Sequence, residues 1–168
     1  GGAKIYRKNR VTDIKLLPSG EWKIFTENGE IICEHVVNAA GSFCPEVGQM
    51  VGLKNIPSIN MIHHYLVTDE HPEIKKLTKE LPVTRDPIAS AYLRQEGNGL
   101  LIGPYEKEAK PWALNGMDWK FDMELLEPDL DRIEKHLELG MDRIPQFKDV
   151  GIKKIICGPI THTPDDNF

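Results

Sequence analysis

Apolar and polar positions alternate along the first third of the chain, which is the pattern of β-strands that bury one face. Two turn signals interrupt the alternation, Pro18-Ser19-Gly20 and Asn28-Gly29, and the second is typical of a two-residue hairpin. The chain is therefore expected to begin as a β-meander, with strands near residues 11–16, 21–26 and 30–37.

A run of very small residues follows the third predicted strand. Val36-Val37 is expected to end a buried strand, and residues 38–41 (NAAG) come directly after it. Small residues at a strand end let a large flat ligand approach the backbone closely, as at strand ends that face a dinucleotide. An ordinary tight turn after a core strand explains the same residues equally well.

The rest of the chain predicts further strands and one long helix. Leu130, Ile133, Leu137 and Met141 repeat at three and four residues, so a helix over residues 128–144 presents one apolar face. Pro128 suits its first position, after a weak cap at Glu127. The other expected elements are short helices at 46–53 and 73–81, strands at 62–68, 90–95, 100–103 and 152–157, and irregular segments at 104–119 and 161–168. The predicted fold class is α+β, a mostly antiparallel sheet with one long helix.

Composition excludes several classes of partner. The 168 residues carry a net charge of −5 with no basic stripe, so neither a nucleic acid nor a membrane surface is expected as a partner. No apolar run approaches the roughly 20 residues of a membrane span. The three cysteines lack disulfide or zinc spacing, so no metal site and a reducing, cytosol-like compartment are expected.

Few residues stand out as candidates for chemistry. His63 and His64 are adjacent on a predicted strand and should point to opposite faces, one to the core and one to a cleft; a core histidine bonded to the backbone is the ordinary alternative. Tyr92 and Arg94 share a strand face and could hold a small carboxylate, although a cross-strand surface pair fits equally well.

Two familiar types of site are missing from the sequence. The glycines at 97, 99 and 103 lie in a predicted hairpin and open no helix, so they form no dinucleotide fingerprint. The carboxylates on the long helix are expected to form a solvated face rather than a catalytic pair. They are Asp129, Asp131, Glu134 and Glu138.

Several segments, in order, resemble the dimethylglycine and sarcosine dehydrogenases, which are FAD-dependent members of the D-amino-acid-oxidase-like superfamily. They are EHVVNAAGSFCPEVGQMVGL, IHHYLVT, residues 81–106, LLEPDLDRIEKHL and GPITHTPD. The resemblance implies that residues 1–43 are part of an FAD-binding domain, residues 44–157 a substrate-binding domain, and residues 158–168 the start of a return to the FAD domain. It also implies an interior segment whose fingerprint lies upstream, so that this piece alone would be inactive and would not retain FAD, and a possible folate region downstream.

The same resemblance assigns roles to individual residues. His63 and Tyr92 match catalytic residues, and Arg94 is a weaker match for a group that binds the substrate carboxylate. Four residues are expected near FAD, where the family usually has tryptophan at the last position. They are Val11, Ala40, Gly41 and Phe43.

The implied activity of the parent protein is demethylation of an N-methyl amino acid by hydride transfer to FAD. The expected partner is that small molecule, and either oxygen or an electron-transfer protein could take the electrons. The expected location is cytoplasmic, or the mitochondrial matrix in a eukaryote. The alternatives are a regulatory or binding protein on the same fold, like the regulatory subunit of pyruvate dehydrogenase phosphatase, and a free-standing scaffold domain. Retention of His63 and Tyr92 favours an enzyme.

Overall fold

The computed structural model of the chain describes residues 1–165, which form two compact units. The first, here called the meander unit, comprises residues 1–58, 115–117 and 163–165. The second, the sheet unit, comprises residues 59–114 and 118–162. Both units use antiparallel strands, so the predicted α+β class with a mostly antiparallel sheet is confirmed.

The meander unit contains the three strands expected at its start. They are β1 (Val11–Leu16), β2 (Trp22–Thr26) and β3 (Gly29–Cys33), and they pair in that order. A 3₁₀ turn, Gly41–Phe43, then leads into a short helix, α1 (Cys44–Gln49).

The prediction that Val36-Val37 ends a buried strand is wrong. Strand β3 ends at Cys33, which pairs with Trp22, and Val37 is 86% exposed. No strand among residues 1–165 lies beside residues 34–37, and β-branched residues need a pleated, half-buried surface to form a strand. The small residues at 38–41 therefore follow an irregular segment.

The sheet unit is built around one long central strand. Its elements are β4 (Ile59–Thr68), α2 (Pro72–Lys75), β5 (Thr84–Asp86), β6 (Ala91–Glu96), β7 (Gly99–Pro104), β8 (Pro111–Trp112), α3 (Leu130–Arg143) and β9 (Ile152–His162). The strand order is β5-β6-β7-β4-β8, and β9 pairs with β4 along almost its whole length.

Helix α3 covers one face of this sheet. Leu66, Leu93 and Ile102 are each at most 5% exposed and form the core with the partly buried Leu137 and Met141 of the helix. Each fully buried side chain of this kind contributes roughly 1.5–3 kcal/mol of hydrophobic free energy. The apolar stripe read from the sequence is therefore the packed face of α3.

The long helix starts slightly later than predicted. Asp129, not Glu127, is the N-cap, and its carboxylate accepts the backbone N–H of Arg132 at 3.4 Å. Aspartate is one of the best N-caps and outcompetes glutamate, which leaves Pro128 outside the helix. The C-terminal end before Pro145 is as expected.

Several other expected elements differ in their bounds. The helix predicted over 73–81 is only α2, because Leu77 and Leu81 are exposed and give a helix no packing surface. Strand β9 continues to His162 rather than ending at Cys157, because β4 offers it a partner throughout; Thr161 and His162 are thus strand, not coil. Strand β8 lies inside the expected irregular segment 104–119. Residues 166–168 of the predicted return segment lie outside the described residues.

Candidate functional site

The two adjacent histidines of β4 have very different surroundings. The side chain of His64 is fully buried on the face that α3 covers, whereas that of His63 is 15% exposed. Because side chains alternate along a strand, His63 lies on the face opposite α3, here called the cavity face. His64 is thus the histidine that faces the core, and the cleft expected beside the other histidine stays a prediction.

His64 is held by a defined set of hydrogen bonds. Its Nε2 accepts the backbone N–H of Asp129 at 3.0 Å, and its Nδ1 lies 2.8 Å from Oε1 of Glu106. Because Nε2 is an acceptor here, the ring carries its proton on Nδ1 and donates it to Glu106. His64 is therefore a satisfied core histidine that ties β4 to the start of α3.

Glu106 and Arg132 form an ion pair beside this histidine. Oε2 of Glu106 accepts the Nε–H of Arg132 at 2.7 Å, and Oε1 also accepts the backbone N–H of His64 at 2.7 Å. The two side chains are only 1% and 7% exposed. A carboxylate out of water needs several charge-assisted donors, and Glu106 has them.

This ion pair could not be predicted from the local sequence. Glu106 follows β7 in a segment without periodicity, so nothing marked it. Arg132 stands next to the buried Ile133 on α3, and a cation beside the apolar stripe of an amphipathic helix was the one available signal.

The cavity face carries the remaining candidates of the sheet unit. Leu93 points into the core, so its neighbours Tyr92 and Arg94 point to the opposite face, as their spacing predicted. A cavity of about 450 Å³ opens on this face beside Arg94 and Tyr65. Its other lining residues include Val67, Glu96, Lys154 and Ile156.

Tyr92 owes its position to a glycine on the neighbouring strand. A Cβ atom added to Gly103 would lie 2.0 Å from Cζ of Tyr92, so the phenol ring occupies the space that a side chain would fill. The ring of Tyr105 packs against it edge-on, with centroids 5.8 Å apart. Burial, followed by the nearby phenols of Tyr65 and Tyr105, raises the pKa of Tyr92, so its hydroxyl remains a donor at neutral pH.

Arg94 is already engaged on the cavity face. Its Nη2 lies 2.6 Å from Oε2 of Glu96, and its Nη1 donates to the backbone carbonyl of Gln95 at 3.3 Å. Both side chains of the ion pair are more than a third exposed, so the pair contributes little stability and exchanges readily. A bound carboxylate would have to replace Glu96.

His63 lies among charged groups from three elements. Its Nδ1 is 3.8 Å from Oε1 of Glu106. Burial is the main cause that lowers the pKa of His63 below 6.5; Glu106 opposes this, while His64, His162 and Arg132 add to it. The imidazole is thus mostly unprotonated at neutral pH and able to accept a proton.

The structure brings His63 and Tyr92 to the same face of one sheet but gives them different neighbours. Tyr92 lies with Tyr65 and Tyr105, whereas His63 lies near Glu106 and His162. Tyr65 could have been found from the sequence, because it follows His63 by two residues on the same strand.

The expected FAD contacts lie in the meander unit. Asn38 braces the small-residue turn, donating from Nδ2 to the carbonyl of Cys44 at 2.9 Å and accepting the N–H of Ala40 at 3.3 Å. Gly41 has a φ of 56°, and no described atom lies within 4 Å of a Cβ built on it. Val11 opens β1 and Phe43 closes the 3₁₀ turn, both half-buried. An open backbone with small residues fits a flat cofactor.

Residues 1–165 contain neither a cluster of metal ligands nor a helix that could span a membrane. These residues hold no group of three or more His, Cys, Asp or Glu side chains arranged to bind a metal ion. Their helices are all too short or too polar to cross a membrane.

Sequence comparison identifies close relatives. The chain is 45% identical over 98% of its length to the mitochondrial dimethylglycine dehydrogenase of Mus musculus and 39% identical over 83% to the mitochondrial sarcosine dehydrogenase of that species. It is also 30% identical over 98% to the regulatory subunit of mitochondrial pyruvate dehydrogenase phosphatase from Mus musculus. The chain spans 19%, 14% and 18% of these three proteins, respectively.

Structure comparison agrees on the fold. L-proline dehydrogenase from P. horikoshii superposes with a TM-score of 0.70 and 22% identity, over 99% of this chain and 41% of that one. The family model for FAD-dependent oxidoreductases (DAO) matches residues 1–168. The predicted family is thereby confirmed: the chain belongs to the FAD-dependent oxidoreductases, with dimethylglycine and sarcosine dehydrogenases among its relatives.

Proposed function

We propose that the protein containing this chain is an FAD-dependent dehydrogenase that removes a methyl group from an N-methyl amino acid such as dimethylglycine or sarcosine. The identity to dimethylglycine dehydrogenase supports the substrate class. The observation that carries the proposal is the cavity face, where His63, whose pKa is lowered mainly by burial, and Tyr92, whose pKa is raised mainly by burial, lie on one side of one sheet.

FAD, when bound, would supply the acceptor for a hydride from the N-methyl carbon. The residues proposed to contact it are Val11, Ala40, Gly41 and Phe43. Support comes from the open turn around Gly41, whose left-handed backbone a larger residue would strain.

His63 is proposed as the proton acceptor. An amine loses hydride from its methyl carbon only when the nitrogen lone pair is free, so the ammonium form of the substrate must first give up a proton. A lowered pKa keeps His63 ready for this role at neutral pH. In the proposal Tyr92 donates a hydrogen bond to the bound amino acid, and Arg94 exchanges Glu96 for its carboxylate.

Two broader features accompany the proposal. The mammalian relatives are mitochondrial proteins, which supports the mitochondrial matrix as the location if the source is a eukaryote. The proposed partner is a small amino acid, with the electrons passing from reduced FAD to oxygen or to an electron-transfer protein; folate remains a possible further cofactor of the parent protein.

The test is the rate of flavin reduction after rapid mixing of the FAD-loaded protein with dimethylglycine or sarcosine. We expect His63→Gln to slow reduction on the order of 100-fold or more, since general-base catalysis contributes about 10²–10⁴. We expect Tyr92→Phe to slow it less, because only one hydrogen bond is lost. The exposed His35→Gln is the matched control. Parental rates in both site variants would refute the assignment.

A regulatory role is a second candidate, because the chain is 30% identical to a phosphatase regulatory subunit. The same experiment separates the two functions. A regulatory protein would show no flavin bands, or bands that neither amine bleaches, in the parental protein as well as in its variants.

A further inference from the structure

Glu106 joins the covered face of the sheet to the cavity face. Its Oε1 accepts both the backbone N–H and the Nδ1–H of His64, at 2.7 and 2.8 Å. The same oxygen lies 3.8 Å from Nδ1 of His63 on the other face. One buried carboxylate oxygen therefore contacts a structural histidine and the proposed proton acceptor.

We propose that Glu106 is a positioning residue for His63, holding the proton of its imidazole on Nδ1 and balancing the positive charge that the ring acquires during the reaction. This inference rests on the function proposed above. A carboxylate oxygen beside Nδ1 favours the tautomer with N–H at that atom. Nε2 then keeps the lone pair and is the atom that accepts the substrate proton.

The proposed step transfers one proton from the substrate to His63. The N–H bond of the substrate ammonium breaks, its electron pair stays on the nitrogen, and the proton binds Nε2 of His63. The ring becomes an imidazolium ion with N–H on both nitrogens, while Glu106 remains a carboxylate. The distance of 3.8 Å exceeds a hydrogen bond, but such contacts are often long before substrate binds and tighten in the complex.

The surroundings of His63 explain why a balancing charge matters. Burial and the groups His64, His162 and Arg132 all disfavour a positive charge on this ring. Glu106 favours it, and Arg132 keeps that carboxylate in place through the 2.7 Å bond to Oε2. A purely structural Glu106 would only tie β4 to α3 and would leave the titration of His63 unchanged.

The decisive experiment is the pH profile of flavin reduction in the FAD-loaded protein with Glu106→Gln. The rate should rise with pH as His63 loses its proton. Because the Glu106 charge raises the pKa of His63, its removal should move this rise to lower pH and lower the plateau on the order of tenfold. An unchanged midpoint in Glu106→Gln would overturn the inference.

A double-mutant cycle adds a second readout. If Glu106 acts through His63, Glu106→Gln should cost nothing further once His63→Gln is present, whereas independent losses would multiply and would overturn the inference. The matched control is Asp86→Asn, which alters another carboxylate bonded to α3, through Arg143 at 2.5 Å. It should leave the pH midpoint at the parental value.

A third variant covers the case in which Glu106→Gln does not fold or bind FAD. Glu106→Asp keeps the charge but withdraws it by one methylene, so it should shift the midpoint in the same direction by less; an unchanged midpoint again overturns the inference. The proposed function fails separately, if His63→Gln reduces its flavin at the parental rate. Slow reduction in His63→Gln with an unshifted Glu106 variant contradicts only the role of Glu106.

Discussion

The two faces of the larger sheet carry similar kinds of polar residue, but these residues differ in burial and in hydrogen bonding. On the face that α3 covers, His64 is fully buried, and each of its ring nitrogens has a partner. On the cavity face, His63 and Tyr92 are only partly buried, and their pKa values are shifted mainly by burial.

The two histidines of β4 show how one strand can hold a residue that stabilises the fold beside a residue that is available to a ligand. A polar group under a helix is tolerated only when its hydrogen bonds are complete, so it has no capacity left for a ligand. A half-buried group keeps an unused donor or acceptor and a shifted protonation equilibrium, which are what a substrate requires. Because side chains alternate along β4, His64 has a structural role under α3 and, in our proposal, His63 has a catalytic role on the cavity face.

The largest effect should come from breaking the ion pair on the covered face. Arg132→Met leaves the Glu106 carboxylate, 1% exposed, without its cation, and we expect a loss of about 3–5 kcal/mol in the free energy of unfolding. Urea unfolding followed by circular dichroism measures it. The matched variant is Arg143→Met, whose cation is half exposed and pairs with Asp86. It should lose about 1 kcal/mol or less, and equal losses would contradict the comparison.

A pair of glycine substitutions should have opposite consequences on the two faces. A Cβ on Gly140 would meet Cδ1 of the buried Ile102 at 2.0 Å, and we expect Gly140→Ala to lose about 1–2 kcal/mol through overpacking, with flavin reduction retained. A Cβ on Gly103 would meet Tyr92 at the same distance.

Because Tyr92 is only partly buried, its ring can swing away, so Gly103→Ala should lose less stability and should slow flavin reduction as Tyr92→Phe does. Urea midpoints and reduction rates of both variants provide the measurement. If both variants lose stability and reduction rate to the same extent, the two faces do not differ in their roles.

The smallest effect concerns acid stability. The pKa of His63 lies below its usual value of 6.5 in the folded protein, so the unfolded chain binds a proton first as the pH falls. His63 therefore lowers stability as the pH drops through 6.5 towards its folded pKa. His63→Gln should lose less stability than the parent between about pH 7.5 and pH 5 in urea unfolding experiments. An identical loss would mean that His63 titrates normally.

Much of the sheet unit could be predicted because its elements are encoded by residues close together in the sequence. The apolar stripe of α3 and the hairpin between β6 and β7 depend on periodicity and turn residues within a few positions. The extension of β9 to His162 could not be predicted, since it depends on a partner strand some hundred residues earlier. The strand predicted at Val36-Val37 is wrong for the converse reason. These residues have a strong local preference for a strand, but no described strand pairs with them.

Only part of the candidate site could be predicted from the sequence. Strand alternation alone put Tyr92 and Arg94 on one face and separated His63 from His64. Glu106 reaches His64 across 42 positions of sequence, and no local pattern encodes such a contact. The roles of His63 and Tyr92 came from resemblance to a family, and they remain predictions that the variants above test.

The close fit between Tyr92 and Gly103 also bears on how the family can vary. A side chain at position 103 and the phenol ring of Tyr92 in its present orientation exclude each other, because the two would fill the same space. Homologues that replace this glycine should therefore carry a smaller residue in place of the tyrosine. The two positions are expected to change together in evolution, and a homologue's residue at 103 should show whether it has kept the phenol.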